Sequence, residues 1–380
     1  MRGSIRQRTE GGSWTAYWFT TDPGTGKRRQ FSRGGFRIRG DAQKQLNAVL
    51  AKVDEGSWTP DTSVTVKALL EDHWLPSVAS TVRPATRAQY QIVVDSWLVP
   101  NIGGIKAKAL TPADVRKLQD TLRTTKTSTG RAGLSNRSIQ LSVTLLKCAL
   151  AWAAHPDQRL LSRNPLAGFK RTKADSRQMT AWSIDEAKAF LAATADDRLA
   201  AAWALFLSRG LRRGELAGLK WTALKGSKLE IALTRVVVDG KAEESKPKTA
   251  AGLRSIDLDA DLISLLRTHK ARQAAEKLSA GTAYEDGGWI FADELGRPYH
   301  PDYFSTRFER LVADHGLRPI RLHDLRHTTA SLMLASGEPV KIVQELLGHS
   351  SPTITLSIYA HVLPGMAEDA GAKLTSRLLG

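Results

Sequence analysis

The chain has 380 residues, too many for one compact core, so two or three domains are expected. Its formal net charge is +17, which attracts a polyanion such as nucleic acid. A membrane partner is disfavoured, because no stretch approaches the roughly 18 apolar residues of a spanning helix and the basic N-terminus has no apolar signal core. Cys148 is the single cysteine, which excludes intrachain disulfides and is expected to be buried in a helix. We therefore expect a cytoplasmic, nucleic-acid-facing protein.

The first 40 residues are strongly basic and interleave aromatic side chains. Strands are predicted over 5–9, 14–20 and 28–36, followed by a helix that Asp41 caps and that extends to about Asp54. A three-stranded sheet backed by one helix has a basic, aromatic face that suits a DNA groove. The alternative is a basic, solvated sheet with no partner. The candidate DNA-binding residues here are Arg6, Arg8, Trp14, Lys27, Arg28, Arg29, Arg33 and Arg37.

A plausible linker at 56–62 precedes an almost wholly helical region that extends to residue 170. The predicted helix starts are Thr65, Pro84, Thr111 and Ser135. The stretch 123–137 between the last two helices is basic, and a loop of this kind can hold a duplex through phosphate contacts. Arg131 and Arg137 are its candidate DNA-binding residues.

A polar, basic stretch at 170–177 predicts a second linker. Beyond it, a capping box at Ser183 begins a region in which helices alternate with one short β section. Strands are predicted over 228–233, 234–239 and 254–258, and Trp289-Ile290-Phe291 is interpreted as a strand in the core. The predicted fold class is therefore multidomain and mainly α, with small β parts.

The second half also carries residues suited to breaking a phosphodiester without a metal. Such chemistry needs a side-chain nucleophile, fixed cations for the developing charge and a proton donor for the leaving oxygen. The candidate catalytic residues are Arg212, Lys248, His323, Arg326, His349 and Tyr359. Glu215 lies three residues after Arg212 at an expected helix start, where it can orient the guanidinium. His323 and Arg326 are also three apart, so they share one helical face.

Other interpretations of the same residues remain open. A tyrosine or arginine alone is more often a core or surface residue, and only the ordered combination favours a site. His323 and His327 have the i, i+4 spacing of a zinc site. Asp324 in place of the longer Glu base, and the Arg326 cation beside it, argue against a metal. His327 and His361 are interpreted as structural.

The order and context of these residues resemble the tyrosine recombinases, the phage integrase family. The matching segments are Gly-Leu-Arg-Arg-Gly-Glu-Leu at 210–216, Lys-Thr ahead of 254–258, His-Asp-Leu-Arg-His-Thr at 323–328, and Leu-Leu-Gly-His-Ser at 346–350 with a tyrosine ten residues after its histidine. The resemblance implies that Tyr359 is the nucleophile, forming a 3′-phosphotyrosyl bond, and that two arginines, Arg212 and Arg326, bind the phosphate. It makes Lys248 the general acid, with Lys246 as a rival. His323 and His349 would contact the phosphate or handle protons.

The resemblance also implies an arm-type DNA-binding domain at 1–58, a helical core-site DNA-binding domain at 62–170 and a mixed α/β catalytic domain at 178–380. The expected function is site-specific recombination that integrates or excises a mobile element, with no cofactor and no metal. The expected partners are double-stranded attachment sites, three further copies of the chain on two duplexes, and accessory DNA-bending or directionality factors, all at the nucleoid. The alternatives are a chromosome-dimer-resolving recombinase, a type IB-like topoisomerase and a non-catalytic DNA-binding protein.

Overall fold

The computed structural model describes residues 3–7, 9, 11–21, 28–55, 64–125, 133–158, 160–170, 180–247 and 252–348. Several predicted site residues lie outside these ranges, namely Lys248, His349, Tyr359, Arg8, Lys27 and Arg131, as does His361. The chain divides into two compact units, Met1–Ser176 and Arg177–Gly380. The boundary between the units falls in the polar stretch that predicts a linker.

The N-terminal segment forms the predicted sheet and helix. Strands β1 (Gly3–Gln7), β2 (Trp14–Thr21) and β3 (Arg28–Phe36) are antiparallel in the order β1-β2-β3, and helix α1 (Arg39–Asp54) follows. A small core joins one sheet face to α1; its buried members are Ala16, Trp18, Leu46 and Val49. The prediction that Asp41 caps α1 is wrong. The N-cap is Ile38, three residues earlier, which makes no side-chain cap bond, so the Asp41 carboxylate instead lies in the first turn.

Most described residues from 64 to 153 are helical, as predicted, whereas 154–158 and 160–170 form turns and irregular structure. The helices are α2 (Val66–Ala68), a π-type stretch (Leu69–Trp74), α3 (Leu75–Val78), α4 (Pro84–Val93), a second π-type stretch (Val94–Leu98), α5 (Val99–Ile102), a 3₁₀ turn (Ala107–Ala109), α6 (Pro112–Thr124) and α7 (Asn136–Ala153). Thr65, Thr111 and Ser135 each accept a hydrogen bond from the amide three residues on, which confirms these predicted helix starts.

These helices surround one apolar core. Leu70, Val94, Leu98 and Leu146 are fully buried in it. Cys148 was expected to be buried, but it is exposed, because the buried face of α7 carries Leu146, Ala149 and Leu150 instead.

The second unit mixes helices and short strands. Its helices are α8 (Ile184–Ala193), α9 (Ala200–Arg209), α10 (Arg213–Ala217), a 3₁₀ turn (Trp221–Ala223), α11 (Ala260–Ala280), a second 3₁₀ turn (Gly281–Ala283), α12 (Pro301–Asp314), α13 (Leu322–Ala335) and α14 (Val340–Leu347). Its strands are β4 (Leu224–Lys225), β5 (Lys228–Ile231), β6 (Thr234–Val238), β7 (Lys241–Ser245) and β8 (Arg254–Asp257).

Among the described residues of this unit, the strands form two antiparallel sheets, β4-β5-β8 and the hairpin β6-β7. The predicted strand at 289–291 is wrong. Trp289 forms an isolated bridge with Lys220 in place of a strand, while Phe291 packs into the apolar core, as expected. The core centres on aromatic residues, among which Phe190 and Phe308 lie 5.3 Å apart, so it fixes α8 and α12 against each other. Within the described parts of the chain, no helix combines the length and apolar character that crossing a membrane requires.

Candidate active site

The break between α9 and α10 places Arg212 at a helix start. Gly210 ends α9 in the left-handed region with φ of 58°, and Arg212 is the N-cap residue of α10. The Arg212 Nη1 donates to Glu215 Oε1 at 2.6 Å, and its backbone amide donates to Glu215 Oε2 at 3.0 Å. The guanidinium is therefore oriented by the carboxylate one turn later, while the side chain stays 39% exposed and can reach a ligand.

Arg254 on β8 contacts the same carboxylate from the other side. Its Nη1 and Nη2 donate to the two Glu215 oxygens at 3.1 and 2.9 Å. Burial by itself would raise the pKa of Glu215, but the hydrogen bonds and charge of Arg254, together with the charge of Arg212, lower it below its usual value. Glu215 is therefore an anion shared by two arginines.

Arg326 on α13 is buried without such a carboxylate. It is 3% exposed, and its Nη1 donates to the Gly210 carbonyl at 2.7 Å while its Nη2 donates to the Leu347 carbonyl. Among the described residues, none forms an ion pair with it. Burial lowers the pKa of Arg326 to about 9, and the charges of Arg212 and Arg254 contribute, so it remains a cation at neutral pH.

The three arginines, here called the arginine cluster (Arg212, Arg254 and Arg326), meet at the end of α14. Arg254 donates to the Leu346 carbonyl at 2.8 Å, Arg326 to the Leu347 carbonyl, and Arg212 to the Gly348 carbonyl at 2.9 Å. Carbonyls at the end of a helix lack donors within the helix and carry partial negative charge. With Glu215 included, the cluster has three positive charges and one negative, which suits an anionic ligand such as a phosphodiester.

His323 lies one turn before Arg326 on α13 and is exposed. The surrounding protein lowers the pKa of His323 to about 4, chiefly by desolvation, and the charges of His327 and Arg326 lower it further. The rings of His323 and His327 lie 5.2 Å apart, edge to face. His323 is thus a neutral imidazole at pH 7, able to accept a proton.

The N-terminal candidates divide between the two faces of their sheet. Arg6 lies over the Tyr17 ring at 5.8 Å and Arg28 over the Phe19 ring at 5.3 Å. The register places these four side chains on the face opposite α1.

The other described N-terminal candidates lie elsewhere. Arg29 lies over the Phe31 ring, which packs on the α1 side, and the Trp14 ring lies beneath Arg39. Arg33 pairs with Ala16 across the sheet, and Arg37 is exposed after β3. In the helical region, Arg137 is exposed in the first turn of α7.

Arg254 was not among the residues predicted for the site. A signal was available, because Arg254 and Ile256 alternate on β8 and Ile256 is buried. An arginine on the inward-facing side of a strand needs a buried anion, and Glu215 in a predicted helix start was the available carboxylate.

A mainly helical chain with a partly buried arginine cluster of net positive charge has the features of an enzyme that acts on a phosphodiester. Residues 180–365 match the Phage integrase family, and residues 69–123 match the Phage integrase, N-terminal SAM-like domain. The chain belongs to the phage integrase family, the tyrosine recombinases, whose members break and rejoin DNA strands.

Two curated relatives and one solved structure illustrate the likeness. A tyrosine recombinase XerC-like protein of Caldanaerobacter subterraneus subsp. tengcongensis is 27% identical over 88% of each chain. The ICEBs1 integrase of Bacillus subtilis is 30% identical over 65% of this chain and 67% of its own. A lambda integrase tetramer bound to a Holliday junction has a TM-score of 0.57 at 21% identity, covering 92% of this chain and 96% of that one, and this likeness concerns the fold. The fold class predicted from the sequence is confirmed.

Proposed function

We propose that this chain is the integrase of a mobile element and that the arginine cluster holds the scissile phosphate. The observation that carries the proposal is Arg326, a buried cation with no ion pair among the described residues. A buried charge without a counter-ion is costly, and a phosphate oxygen would supply that counter-ion. Arg212 is partly exposed and would bind a second oxygen, since a planar guanidinium fits this task better than an ammonium group.

The remaining roles follow from the family's motifs. Tyr359 attacks the phosphorus and forms the 3′-phosphotyrosyl bond, and Lys248, with Lys246 as its rival, protonates the leaving 5′-oxygen. His323 accepts or shares a proton in its neutral form, and His349 contacts the phosphate. Attack by the phenol conserves the energy of the phosphodiester, so rejoining needs only the reverse reaction.

The N-terminal sheet would bind arm-type DNA through the face opposite α1, where Arg6 and Arg28 stack on Tyr17 and Phe19. Arginines that lie over aromatic rings on the sheet face opposite the helix are suited to phosphate contacts along a DNA groove. Residues 1–58, 62–170 and 178–380 would then act as arm-binding, core-binding and catalytic domains. The relatives include an integrase and a XerC-like recombinase, and arm binding separates the integrase function from resolution of chromosome dimers.

On DNA we expect four copies of the chain on two duplexes, as in the lambda integrase tetramer on a Holliday junction. The attachment sites are double-stranded DNA in the cytoplasm, at the nucleoid. Accessory DNA-bending and directionality factors would set the choice between integration and excision.

A covalent-trapping experiment tests the enzyme assignment. Nicked duplexes that tile the DNA on both sides of the gene are incubated with the full chain in EDTA, and adducts are separated on a denaturing gel. Wild type should form a protein–DNA adduct on one duplex, and Tyr359→Phe should form none. Tyr299→Phe is the matched control, because it removes another phenol oxygen of the catalytic unit. An adduct that persists in Tyr359→Phe would refute the nucleophile, and no adduct from wild type on any duplex would refute the proposal.

A further inference from the structure

We propose that Arg254 is a positioning residue for this reaction, which holds Glu215 and the end of α14 in one fixed relation to Arg212 and Arg326. The inference rests on the proposed function, because it takes Arg212 and Arg326 as the groups that bind the scissile phosphate. Arg254 begins the segment 254–258 that contributed to the family resemblance, but it was not among the residues predicted for the site.

Arg254 is not placed to touch DNA itself. Its side chain is 8% exposed, and each of its three guanidinium nitrogens donates to the protein. Arg212, in contrast, is 39% exposed and contacts Glu215 through only one of its terminal nitrogens. Each arginine donates two hydrogen bonds to Glu215, but those of Arg212 come from one side-chain nitrogen and the backbone amide, whereas Arg254 uses both terminal nitrogens. The more exposed Arg212 side chain is therefore the one that a phosphate can reach.

The position of Glu215 depends on this arrangement. Glu215 is 4% exposed, so its charge must be matched by protein donors. Without Arg254, Arg212 alone would have to supply the hydrogen bonds to both Glu215 oxygens. We expect its guanidinium to move inward toward the carboxylate as a result. A displacement of about 1 Å at a catalytic group is enough to cost roughly 100-fold in rate.

The second contact fixes α14. Nε of Arg254 donates to the Leu346 carbonyl, next to the carbonyls that accept from Arg326 and Arg212. The three successive carbonyls thus tie one helix end to β8, α13 and the start of α10. In the sequence His349 follows Gly348 directly, so the helix end that Arg254 holds is where the chain enters the segment with His349 and Tyr359.

Hydrogen exchange tests the structural half of the proposal without any DNA. Arg254→Lys keeps the charge but lacks the planar fork that donates hydrogen bonds to both Glu215 and the Leu346 carbonyl. Arg209→Lys is the matched control, because Arg209 also joins a carbonyl, of Asp257, to a carboxylate, of Asp259. Amides at 340–348 in the full chain should exchange about 10-fold faster in Arg254→Lys than in wild type or Arg209→Lys. Unchanged exchange there would overturn the proposal.

A double-mutant cycle tests the catalytic half. The probe is the nicked duplex that gives an adduct with wild type, and the readouts are the single-turnover rate of adduct formation and the dissociation constant for that duplex. Arg254→Lys should slow adduct formation by about 10- to 100-fold with little change in affinity. In an Arg212→Lys background the same change should cost no more than about 3-fold, because Arg254 acts through Arg212. Equal losses in both backgrounds would overturn the positioning role.

Failure of this inference is distinguishable from failure of the proposed function. If Arg212→Lys itself leaves adduct formation unchanged, the phosphate-binding assignment is wrong, whereas a normal rate in Arg254→Lys refutes only the inference. Should Arg254→Lys fail to fold, Arg254→Gln takes its place, since it retains a donor for the Leu346 carbonyl. If neither variant folds, Arg254 is required for folding of the whole domain, and the specific positioning role is refuted.

Discussion

Arg326 donates a hydrogen bond of 2.7 Å to the carbonyl of Gly210, and this bond joins α13 to the end of α9. Gly210 has φ of 58°, which turns the chain from α9 toward Arg212. The glycine is also crowded, because a Cβ on it would lie 2.3 Å from Leu347 Cδ2. Gly210 therefore determines how closely α9, α13 and α14 approach one another.

Gly210→Ala should therefore impair both stability and DNA cleavage. The positive φ should cost roughly 1 kcal/mol, and the clash with Leu347 should cost about 1–3 kcal/mol more. Gly226→Ala is the control, since Gly226 has φ of 62° but nothing within 4 Å of the added Cβ. Urea unfolding of the two variants isolates the crowding at Gly210, and equal losses of stability would contradict it.

Glu215→Gln should destabilise the catalytic unit, because it leaves Arg212 and Arg254 without their shared anion. Breaking a buried ion pair costs about 3–5 kcal/mol. Glu186→Gln is the comparison, since Glu186 binds Arg318 through both oxygens at a more exposed site, where such a pair contributes about 1 kcal/mol or less. Similar free energies of unfolding for the two variants would show that the buried Glu215 contacts stabilise the protein no more than the exposed Glu186–Arg318 pair.

Glu215 also gives the protein an acid sensitivity of defined sign. The folded-state pKa of Glu215 lies below the usual value for a glutamate, so the folded state favours the anion. Its contribution to stability is complete above the unfolded-state pKa and is lost as the pH falls through the lower folded-state value. The free energy of unfolding of wild type minus that of Glu215→Gln should decrease as the pH is lowered from neutral into the acid range. A constant difference would contradict the lowered pKa.

His323 should titrate well below a free histidine. Desolvation first, and then the His327 charge, lower its pKa to about 4, so NMR should find its ring neutral throughout the neutral range and well into mild acid. His327→Gln should raise the midpoint, because it removes a positive neighbour without uncovering the site. A His323 midpoint near the ordinary histidine value of about 6.5 would rule out the predicted desolvation.

The N-terminal sheet should bind arm DNA through one face only. Replacing Arg6 and Arg28 with Ala should weaken binding and make log K less steeply dependent on log salt, by about 0.9 for each phosphate that the variant no longer neutralises. Replacing Arg29 and Arg39 with Ala removes the same amount of charge, but these arginines lie over Phe31 and Trp14, away from the proposed binding face. This pair of changes should weaken DNA binding less. Fluorescence anisotropy on duplexes that flank the gene measures both, and equal weakening would indicate attraction by net charge alone.

The sequence by itself determined most of the local structure, because caps, turns and apolar periodicity act over a few residues. Thr65, Thr111 and Ser135 began helices where predicted, and the ordered motifs from Arg212 onward indicated the family. Local signals failed where packing decides: Asp41 lies in a helix that begins earlier, Trp289 forms an isolated bridge, and Cys148 is exposed.

Only the tertiary structure showed that Arg254 shares Glu215 with Arg212, since 39 positions separate Glu215 from Arg254 and no short-range pattern relates them. The same holds for the carbonyls of Leu346, Leu347 and Gly348. Every helix end offers unpaired carbonyls, but which donors reach them depends on how the start of α10, α13 and β8 pack around the end of α14. Residue types and their order therefore specified the chemistry, and the packing of distant elements decided how the arginines are held.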